Sequence, residues 1–585
     1  MLHRISTPIL VAILIYHGYH YFNQWKLQRH LDEYRTHKLA QKEHNRKQRA
    51  PDIVKKPEIT KVSDSVYVAQ GYAFANSVLL VGPTGVVVVD TTENENSAKL
   101  IQAEFRKITQ KPLVGIIYTH NHFDHVAGTS GFFDNGTRPD GLEIWAHHTL
   151  MAQYTHSMRV MGEAHYRRAM RQFGGFLDQR DTSKRGFNTK LKVKPNFIVP
   201  PNRFVYKPAE DVHIGGMHVR LYHVPGETND QIAVYWPDQK VLLCGDDFYK
   251  AFPNLYAIRG TTFRSLKVWY ESLDLMRSIR AHVLVSGHTT PVYGEEEVYR
   301  SLTDYRDAVQ FVHDQTVRYI NKGMHPDDIV RRVRLPEKLA KKPYLEELYG
   351  TVAWSAKGLF AGYMGWFSGD IVELEPHSPD EQAERLTKLA GGVKKLLDAA
   401  REYLDSDDPQ WALRLSSAAL RVEPHNQDAR EIKAKSLYEL SAQQTSMNGA
   451  NYYAMVAKET LGEIDIKIDA QLKKEFAKTA KMREIFDKMA LRMKGEECPD
   501  TDKVVSFDFP DTKQKIQFHM RNGIVEIGES FGREVDVKVV VNSVVWRELV
   551  AGDRNRLLTA VTSQLSVEPG LLSLQEVMGC FDKDD

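Results

Sequence analysis

The amino-acid sequence predicts a multidomain protein whose largest part is a layered α/β domain, and three observations support this. Apolar residues make up 42% and charged residues 26% of the 585 residues, which is an ordinary globular composition. Short β-branched runs alternate with helix-like segments over residues 57–375, whereas residues 376–480 favour helix almost throughout. Residues 481–585 return to short strands between helices, which predicts a small α+β domain.

Charge and cysteine content exclude several classes of protein. The chain has 78 Lys and Arg against 76 Asp and Glu, and this balance gives no reason to expect a nucleic-acid partner. Cys244, Cys498 and Cys580 are too few for a disulfide framework but leave room for one pair. Without a C-x-x-C motif, a cysteine-based zinc site is not expected. The 23 histidines direct attention to imidazole chemistry instead.

Residues 1–56 resemble an apolar anchor followed by a basic linker. Residues 8–22 contain about 15 usable apolar positions, fewer than the roughly 20 that a spanning helix needs. We expect membrane association through a signal-anchor or surface segment, while a cleaved signal peptide and a non-membrane leader stay open. The basic residues of Lys26–Arg49 favour a cytosolic body, and the sequon at Asn135 favours the secretory pathway, so the face is undecided.

The elements of residues 57–375 follow from local patterns. Two β-branched runs joined by Gly82–Gly85 predict a hairpin, and a polar helix ending near Ile108 and a buried strand follow it. A helix is expected at about Phe263–Ile279. The expected strands are Ser77–Val81, Val86–Val89, Leu113–Tyr118, Val212–Tyr222, Ile232–Trp236, Val241–Cys244 and Val283–Ser286.

The later domains are predicted in the same way. Helices Trp411–Val422 and Asp428–Ser441 form a pair with too few repeats for a solenoid, and its face serves either a partner or internal packing. Asn522-Gly523 predicts a hairpin turn in the last domain, whose strands enclose either a lipid-sized cavity or an ordinary two-layer core. Its expected elements are the helix Arg483–Met493 and the strands Val504–Phe509, Lys515–Met520, Ile524–Ile527 and Val535–Val541.

The strongest chemical signal is the segment Thr119–His125, which comes directly after a buried strand. Its four potential ligands are His120, His122, Asp124 and His125. Four such side chains within six residues cannot share one face of a helix or strand, but a loop can turn them toward two adjacent metal ions. Imidazole and carboxylate ligands together suit Zn²⁺ or a similar divalent ion.

This H-x-H-x-D-H motif resembles that of the metallo-β-lactamase superfamily, which implies an αββα sandwich and three further ligands. Glu227 stands after Pro225-Gly226, where most members have histidine, Asp246 follows Gly245, and His288 follows the strand at Val285. The resemblance implies one metal held by His120, His122 and Glu227, a second held by Asp124, His125 and His288, and a bridging Asp246.

Such a centre implies two divalent ions, with Zn²⁺ the best match, and a bridging water or hydroxide as nucleophile. The three carboxylates do not neutralise two divalent cations, so the centre stays electropositive toward an anionic substrate.

Glu227 and several downstream segments resemble the linear primary alkyl sulfatases, the class III sulfatases. The matching segments are Asn254–Gly260, Tyr349–Val352 and Tyr363–Phe367, followed by a helical dimerisation domain and a sterol-carrier-protein-like domain. The resemblance covers residues 57–585. It implies hydrolysis of linear alkyl sulfate esters, a long-chain anionic substrate and a homodimer paired through residues 376–480.

The resemblance also implies substrate residues, and here the sequence departs from the family. Arg259 matches sulfate bidentately and Asn254 adds a neutral donor. Phe173 and Gly175 stand where the family has tyrosine and asparagine, and Arg264 stands in place of a general-acid histidine, although arginine cannot release a proton near neutral pH. The positions that match the family nevertheless make Asp124, Arg259 and Arg264 the expected catalytic residues.

These departures leave alternatives open. One is a hydrolase of the same fold that acts on another ester, a thioester or a lactone. The other is a membrane-associated lipid-binding scaffold in which the metal domain is structural.

Overall fold

The computed structural model describes residues 56–155, 162–177, 198–467, 470–554, 559 and 564–582. The predicted anchor at residues 8–22 therefore lies outside the described residues, as does nearly all of the basic linker. Among the residues that are described, no helix combines the length and apolar character needed to cross a membrane. The described residues divide into two compact units, one comprising those within Met1–His148, Arg168–Lys192 and Pro200–Ile466 and the other those within Thr149–Arg167, Val193–Val199 and Lys467–Asp585.

The first sheet of the large unit confirms the predicted hairpin and buried strands. The described residues form seven strands in sequential order, in which β1 to β4 pair antiparallel and β4 to β7 pair parallel. All four residues of the fourth strand are buried, so both faces of the sheet are covered there. The strands are β1 (Glu58–Lys61), β2 (Val66–Gln70), β3 (Ser77–Val81), β4 (Val86–Val89), β5 (Leu113–Ile117), β6 (Glu143–His147) and β7 (Arg203–Val205).

The second sheet corrects one sequence prediction. The single strand expected at Val212–Tyr222 is wrong, because Gly215 and Gly216 turn the chain with positive φ angles of 61° and 78° and make a hairpin. The six strands described there have the order β13-β12-β11-β10-β9-β8, and only β11 and β12 are parallel. The strands are β8 (Ala209–Ile214), β9 (Met217–His223), β10 (Ile232–Trp236), β11 (Val241–Leu243), β12 (Val283–Val285) and β13 (Val292–Tyr293).

Two apolar layers hold this domain together. Side chains from both sheets, such as Val68, Val87, Leu221 and Val234, form one core between them. On the other side of the second sheet, strand residues such as Leu242 pack against helices. The helices over this part of the chain are α1 (Glu95–Ile108), α2 (Phe123–Val126), α3 (Leu150–Thr155), α4 (Gly162–Phe173), α5 (Leu266–Ser278), α6 (Glu295–Ile320), α7 (Pro326–Arg332), α8 (Glu337–Ala340) and α9 (Val352–Met364). The layered α/β architecture is therefore confirmed.

The predicted helical region is also confirmed. Its first helix starts with a capping box between Ser378 and Glu381 and ends at Gly391, which adopts a left-handed conformation. Buried Leu396, Leu415 and Ile432 pack the helices against one another. These helices are α10 (Pro379–Ala390), α11 (Val393–Asp405), α12 (Pro409–Val422), α13 (Gln427–Gln443) and α14 (Met447–Leu461).

The small unit contains the predicted α+β domain. The part of the sheet that is described has five strands in the order β16-β15-β14-β17-β18, and Asn522 and Gly523 make the predicted hairpin turn with φ angles of 50° and 70°. A disulfide joins Cys498 to Cys580. The elements are α15 (Ala470–Thr479), α16 (Met482–Ala490), β14 (Lys503–Phe509), β15 (Gln514–Arg521), β16 (Ile524–Gly528), β17 (Val537–Val541), α17 (Ser543–Ala551), β18 (Leu565–Glu568) and α18 (Leu571–Gly579).

Candidate metal centre

Imidazole and carboxylate side chains meet where strands of both sheets end. The Thr119–His125 segment follows β5 and continues into the short helix α2. Asp246 and His288 follow β11 and β12, which run parallel, so their carboxyl ends lie side by side. The two sheets thus bring residues 120–125, 246 and 288 together although they are distant in sequence.

Asp246 lies at the centre of this cluster. Its Oδ2 atom is 3.1 Å from His288 Nε2, 3.4 Å from His125 Nε2 and 3.8 Å from His120 Nε2. The carboxylate therefore faces three imidazole nitrogens at once, which is the arrangement that a bridging ligand requires.

The remaining predicted ligands lie around this carboxylate. Asp124 Oδ2 is 3.4 Å from His288 Nε2, and Glu227 Oε1 is 3.8 Å from His122 Nδ1. Three groups have ligand atoms within 4.8 Å of one another: His120 with His125 and Asp246, Asp124 with His125 and His288, and His122 with Glu227 and Asp246. The structure thus brings all seven predicted ligands into one cluster.

The unsatisfied atoms of the cluster fit divalent metal ions. His125 Nε2, Asp246 Oδ1 and Glu227 Oε2 are buried and have no hydrogen-bond partner among the described residues. Buried polar atoms without partners are costly, and native structures rarely leave them so. Metal ions would satisfy all three atoms with the ligand types that zinc prefers.

Asp90, which the sequence analysis missed, orients part of the cluster. Its carboxylate accepts hydrogen bonds from the Thr119 N–H and hydroxyl, both at 2.8 Å, and its Oδ2 lies 2.7 Å from His125 Nδ1. Because a carboxylate only accepts, the His125 hydrogen must sit on Nδ1, which leaves Nε2 free for a metal. Asp90 follows the buried strand β4 directly, and that position was the available signal.

Two more supporting contacts were also missed. His288 Nδ1 lies 2.9 Å from the Phe74 carbonyl oxygen, so it donates there and directs Nε2 into the cluster. The Glu227 N–H donates to Asp247 Oδ1 at 2.9 Å, and this contact holds the loop that carries Glu227.

The electrostatic environment differs across the cluster. Burial lowers the pKa of His122 well below its ordinary range, and nearby imidazole and guanidinium groups add to this effect. For His125, neighbouring carboxylates outweigh burial and raise the pKa well above its ordinary range. Burial raises the pKa of Glu227 to about 7 even though Arg264 opposes the shift. The surroundings of His122 and Glu227 therefore differ from those of His125, which faces several carboxylates.

The predicted arginines lie beside His122 and Glu227. Arg264 is buried, and its Nη1 forms an ion pair with Glu227 Oε1 at 2.7 Å. Arg259 Nη2 lies 3.3 Å from His122 Nε2. Asn254 is also buried, and its side-chain Nδ2 has no hydrogen-bond partner within the described parts of the chain. The two arginines thus contact ligand candidates directly, and Asn254 is linked to them through its carbonyl oxygen, which accepts a hydrogen bond from Arg264 Nη1.

Phe173 and Gly175, the two residues that depart from the family pattern, lie in different surroundings. The Phe173 ring centroid is 5.9 Å from the Arg259 guanidinium carbon and 5.4 Å from the Phe74 ring centroid, so Phe173 adjoins the cluster. Gly175 is exposed, and its N–H donates to the Met170 carbonyl at 2.9 Å. Gly175 therefore contributes to the end of α4.

A buried apolar cluster borders the metal-ligand candidates beside His288. The Phe74 ring centroid is 5.1 Å from that of His288, and the Tyr249 ring centroid is 6.2 Å from it. Both aromatic residues belong to one apolar cluster whose other members are Ala251, Leu348, Tyr349 and Met447, with Phe173 packed against it.

Comparison with known proteins decides the family. Residues 71–288 match the metallo-beta-lactamase superfamily, residues 325–463 match the alkyl sulfatase dimerisation family and residues 470–585 match the alkyl sulfatase C-terminal family. A linear primary-alkylsulfatase from Pseudomonas sp. is 34% identical over 524 residues, which cover 87% of this chain and 98% of that protein. The chain belongs to the alkyl sulfatase family.

Two other alkyl sulfatases are similar to the chain in sequence or in fold. An (R)-specific secondary-alkylsulfatase from Pseudomonas sp. is 28% identical, over 84% of this chain and 75% of that protein. The solved structure of an inverting sec-alkylsulfatase from Pseudomonas sp. superposes with a TM-score of 0.83 at 24% identity, covering 90% of this chain and 85% of that one, and so shows the same fold. The predicted resemblance and domain order are confirmed, while the predicted boundaries at residues 57, 376 and 481 stay predictions.

Proposed function

We propose that this alkyl sulfatase family member is a dinuclear metal-dependent hydrolase that cleaves linear alkyl sulfate esters to an alcohol and inorganic sulfate. The observation that supports this proposal is the cluster of seven imidazole and carboxylate side chains. Several of its buried atoms lack hydrogen-bond partners in the described structure, and two guanidinium groups lie beside it. Two divalent ions, which we take to be Zn²⁺, would lower the pKa of a coordinated water and supply a nucleophile at neutral pH when bound.

We assign His120, His122 and Glu227 to one ion and Asp124, His125 and His288 to the other, with Asp246 shared. Two of the geometric groups support this assignment, Asp124 with His125 and His288 and His122 with Glu227 and Asp246. His120 also groups with His125, and we assign it to the first ion because its Nε2 lies 2.9 Å from His122 Nδ1. Asp90 and the Phe74 carbonyl keep two imidazoles in the tautomer whose Nε2 faces the centre.

Arg259 is the proposed binding group for the sulfate head. A planar guanidinium stays charged and presents parallel N–H donors to two oxygens of an anion. The unpartnered Nδ2 of Asn254 is available as a further donor. Arg264 cannot act as a general acid, and its ion pair with Glu227 supports a positioning role instead.

The alkyl tail would pack against the edge of the buried apolar cluster beside His288. Phe74, Tyr249 and Phe173 present aromatic rings next to the cluster, where burial of an aliphatic chain is favourable at about 25 cal/mol per Å². A head that binds at Arg259 and a tail that binds at these rings together select a small amphiphilic anion.

The chain is proposed to act as a homodimer. Within residues 325–463, the range that matches the dimerisation family, a short segment carries exposed apolar side chains. These are Tyr363, Met364, Trp366, Ile371, Val372 and Leu374. Exposed apolar side chains grouped in this way are typical of interfaces, and this segment directly precedes residues 376–480, through which the chain was predicted to pair. Replacing Ile371 and Val372 with Asp should convert a dimer to a monomer in light scattering, and an unchanged mass would refute pairing through this segment.

We also propose that residues 8–22 hold the chain at a membrane. The Cys498–Cys580 disulfide favours a body on the oxidising, secretory-pathway side. Extraction of the cell-expressed chain by alkaline carbonate without detergent would argue against the anchor, and modification of both cysteines by a thiol reagent before reduction would argue against the oxidising location.

Substrate comparison tests the proposed function. The purified full-length chain should release sulfate from octyl sulfate, and Asp124→Ala should abolish that release. Turnover of an octanoyl thioester or a lactone without sulfate release would retain the hydrolase and reject the sulfatase. Lipid binding without any turnover would favour the scaffold hypothesis.

A further inference from the structure

The charges around the metal centre are distributed unevenly. The group formed by His120, His122 and Glu227 is contacted by two guanidinium groups. Arg264 Nη1 lies 2.7 Å from Glu227 Oε1, and Arg259 Nη2 lies 3.3 Å from His122 Nε2. Both contacts place a fixed positive charge next to side chains assigned as ligands of one metal ion.

The other group has an additional negative charge instead. Asp90 Oδ2 lies 2.7 Å from His125 Nδ1, and His125 Nε2 faces Asp124 Oδ2 at 3.5 Å and Asp246 Oδ2 at 3.4 Å. His125 and Asp90 are both buried, so solvent screens this interaction little. The side chains next to the ligands therefore differ, with two guanidinium groups beside one half of the centre and the Asp90 carboxylate beside the other.

We propose that Arg264 makes the two metal sites unequal, so that the site of Asp124, His125 and His288 fills first and the site of His120, His122 and Glu227 binds its ion more weakly. This inference rests on the proposed function, because it presupposes that the cluster binds two divalent ions. It assigns Arg264 as a positioning and charge-setting residue that acts through Glu227.

The buried ion pair supplies the physical reason. Arg264 is 3% exposed and Glu227 is 4% exposed, so neither side chain can turn into solvent to avoid the other. The guanidinium keeps its charge, and a carboxylate already paired with it offers less net attraction to a metal ion. The site is weakened without being lost, because Glu227 Oε2 has no hydrogen-bond partner in the described structure and stays available as a ligand.

Zinc titration of the metal-free, full-length chain against a chromophoric chelator tests the inference without measuring activity. Wild-type protein should bind two Zn²⁺ with dissociation constants at least about tenfold apart. Glu227→Gln should remove the weaker event and Asp124→Asn the tighter one, which identifies the sites. Arg264→Met should tighten the weaker event at least about tenfold, because the metal then meets an unpaired carboxylate, whereas Arg264→Lys should keep the gap.

A matched control and a second variant keep the test decisive. Arg306→Met removes a partly buried guanidinium of the same domain, which pairs with Asp274 at 3.0 Å, and should leave both zinc affinities unchanged. Arg259→Met removes the second guanidinium beside His122 and should also tighten the weaker event, so the inference stays testable if Arg264→Met does not fold.

The outcomes separate the inference from the proposed function. Two zinc ions bound with equal affinity by the wild type would overturn the inference and leave the dinuclear centre intact. The same holds for an unchanged weaker event in folded Arg264→Met or, should that variant not fold, in Arg259→Met. No zinc binding at all would overturn the proposed function itself.

Discussion

Among single residues, Arg259 is the one on which the proposed binding of the sulfate group depends. Its guanidinium lies against His122 on one side and above the Phe173 ring on the other, so its position is fixed by a metal-ligand candidate and an aromatic face. An anion that reaches the centre would therefore meet a preoriented pair of N–H donors.

Replacing Arg259 with Lys should lower kcat/KM for octyl sulfate by about 10- to 100-fold, because the ammonium keeps the charge and loses the planar, two-donor contact. Steady-state kinetics with Arg306→Lys as the control measures the effect. Equal kinetics for wild type and Arg259→Lys would show that the sulfate head does not bind at this guanidinium.

Asp230 gives a pH dependence with a defined sign. It is fully buried, accepts a hydrogen bond from Asn121 Nδ2 at 2.6 Å, and its burial raises its pKa from 3.8 to about 6. An acid with a raised pKa binds its proton more tightly when folded, so its stabilising contribution is complete below about pH 4 and is lost as the pH rises through about 6.

Relative to Asp230→Asn, the metal-free wild-type protein should therefore lose about 3 kcal/mol of unfolding free energy between about pH 4 and pH 7. Chemical denaturation in the presence of a chelator measures this difference. Asp64→Asn, at an exposed carboxylate, should follow the wild-type profile. A difference between wild type and Asp230→Asn that stays constant with pH would contradict the assigned pKa shift.

The sequence identified the metal-ligand candidates because their spacing within one loop is itself a chemical signal. Asp90 and Asp247 could not be recognised in the same way. Asp90 stands alone after a strand and Asp247 directly follows the bridging candidate Asp246, and their roles depend on contacts with residues 35 and 20 positions away. The pairing of Arg264 with Glu227 was hidden for the same reason, since only the fold brings them within 2.7 Å.

Among the structural elements, the loop that carries Glu227 is closely packed around Gly226. An added Cβ atom at Gly226 would collide with Asp247 Oδ1 and come within 2.8 Å of Trp269 Cδ1. Gly226→Ala should therefore displace Asp247, lower the unfolding free energy by about 1–3 kcal/mol and weaken zinc binding.

Thermal unfolding and the zinc titration together measure this effect. Gly579→Ala is the matched control, because an added Cβ there meets nothing within 4 Å. If Gly226→Ala binds zinc as the wild type does and melts at the same temperature, the loop is not held by this packing.

The wrong strand prediction at Val212–Tyr222 shows that an alternating apolar pattern does not reveal where the chain reverses direction. Alternating apolar residues continue through both β8 and β9, so the pattern resembles one long strand. Gly215-Gly216 was a turn signal within it, but the direction of the chain after a two-residue turn depends on pairing between β8 and β9. Most other strands were predicted because β-branched runs between turn residues specify them locally.

At the scale of the whole molecule, the Cys498–Cys580 disulfide crosslinks positions 82 residues apart in the C-terminal domain. Crosslinks over long loops restrict the unfolded chain, and a native disulfide typically contributes about 2–4 kcal/mol. The Cys498→Ser, Cys580→Ser double variant should therefore unfold more easily in this domain while its zinc content stays unchanged.

Hydrogen exchange resolved along the chain can measure this, because it reports the two compact units separately. Faster exchange confined to residues 470–582 is the expected result. Unchanged exchange there would show that the crosslink is not needed for the stability of the domain. The sequence left this pairing open, since three cysteines alone do not specify which two meet.

The most direct test of the central claim joins metal content to sulfate release in one set of preparations. Full-length chain is stripped with a chelator, given Zn²⁺ in steps and assayed with octyl sulfate, with Asp124→Ala alongside. We predict that sulfate release is absent without metal, rises to its maximum as about two ions bind per chain, and stays absent in Asp124→Ala. Sulfate release that survives chelation, or that Asp124→Ala retains in full, would contradict a hydrolase built on this metal centre.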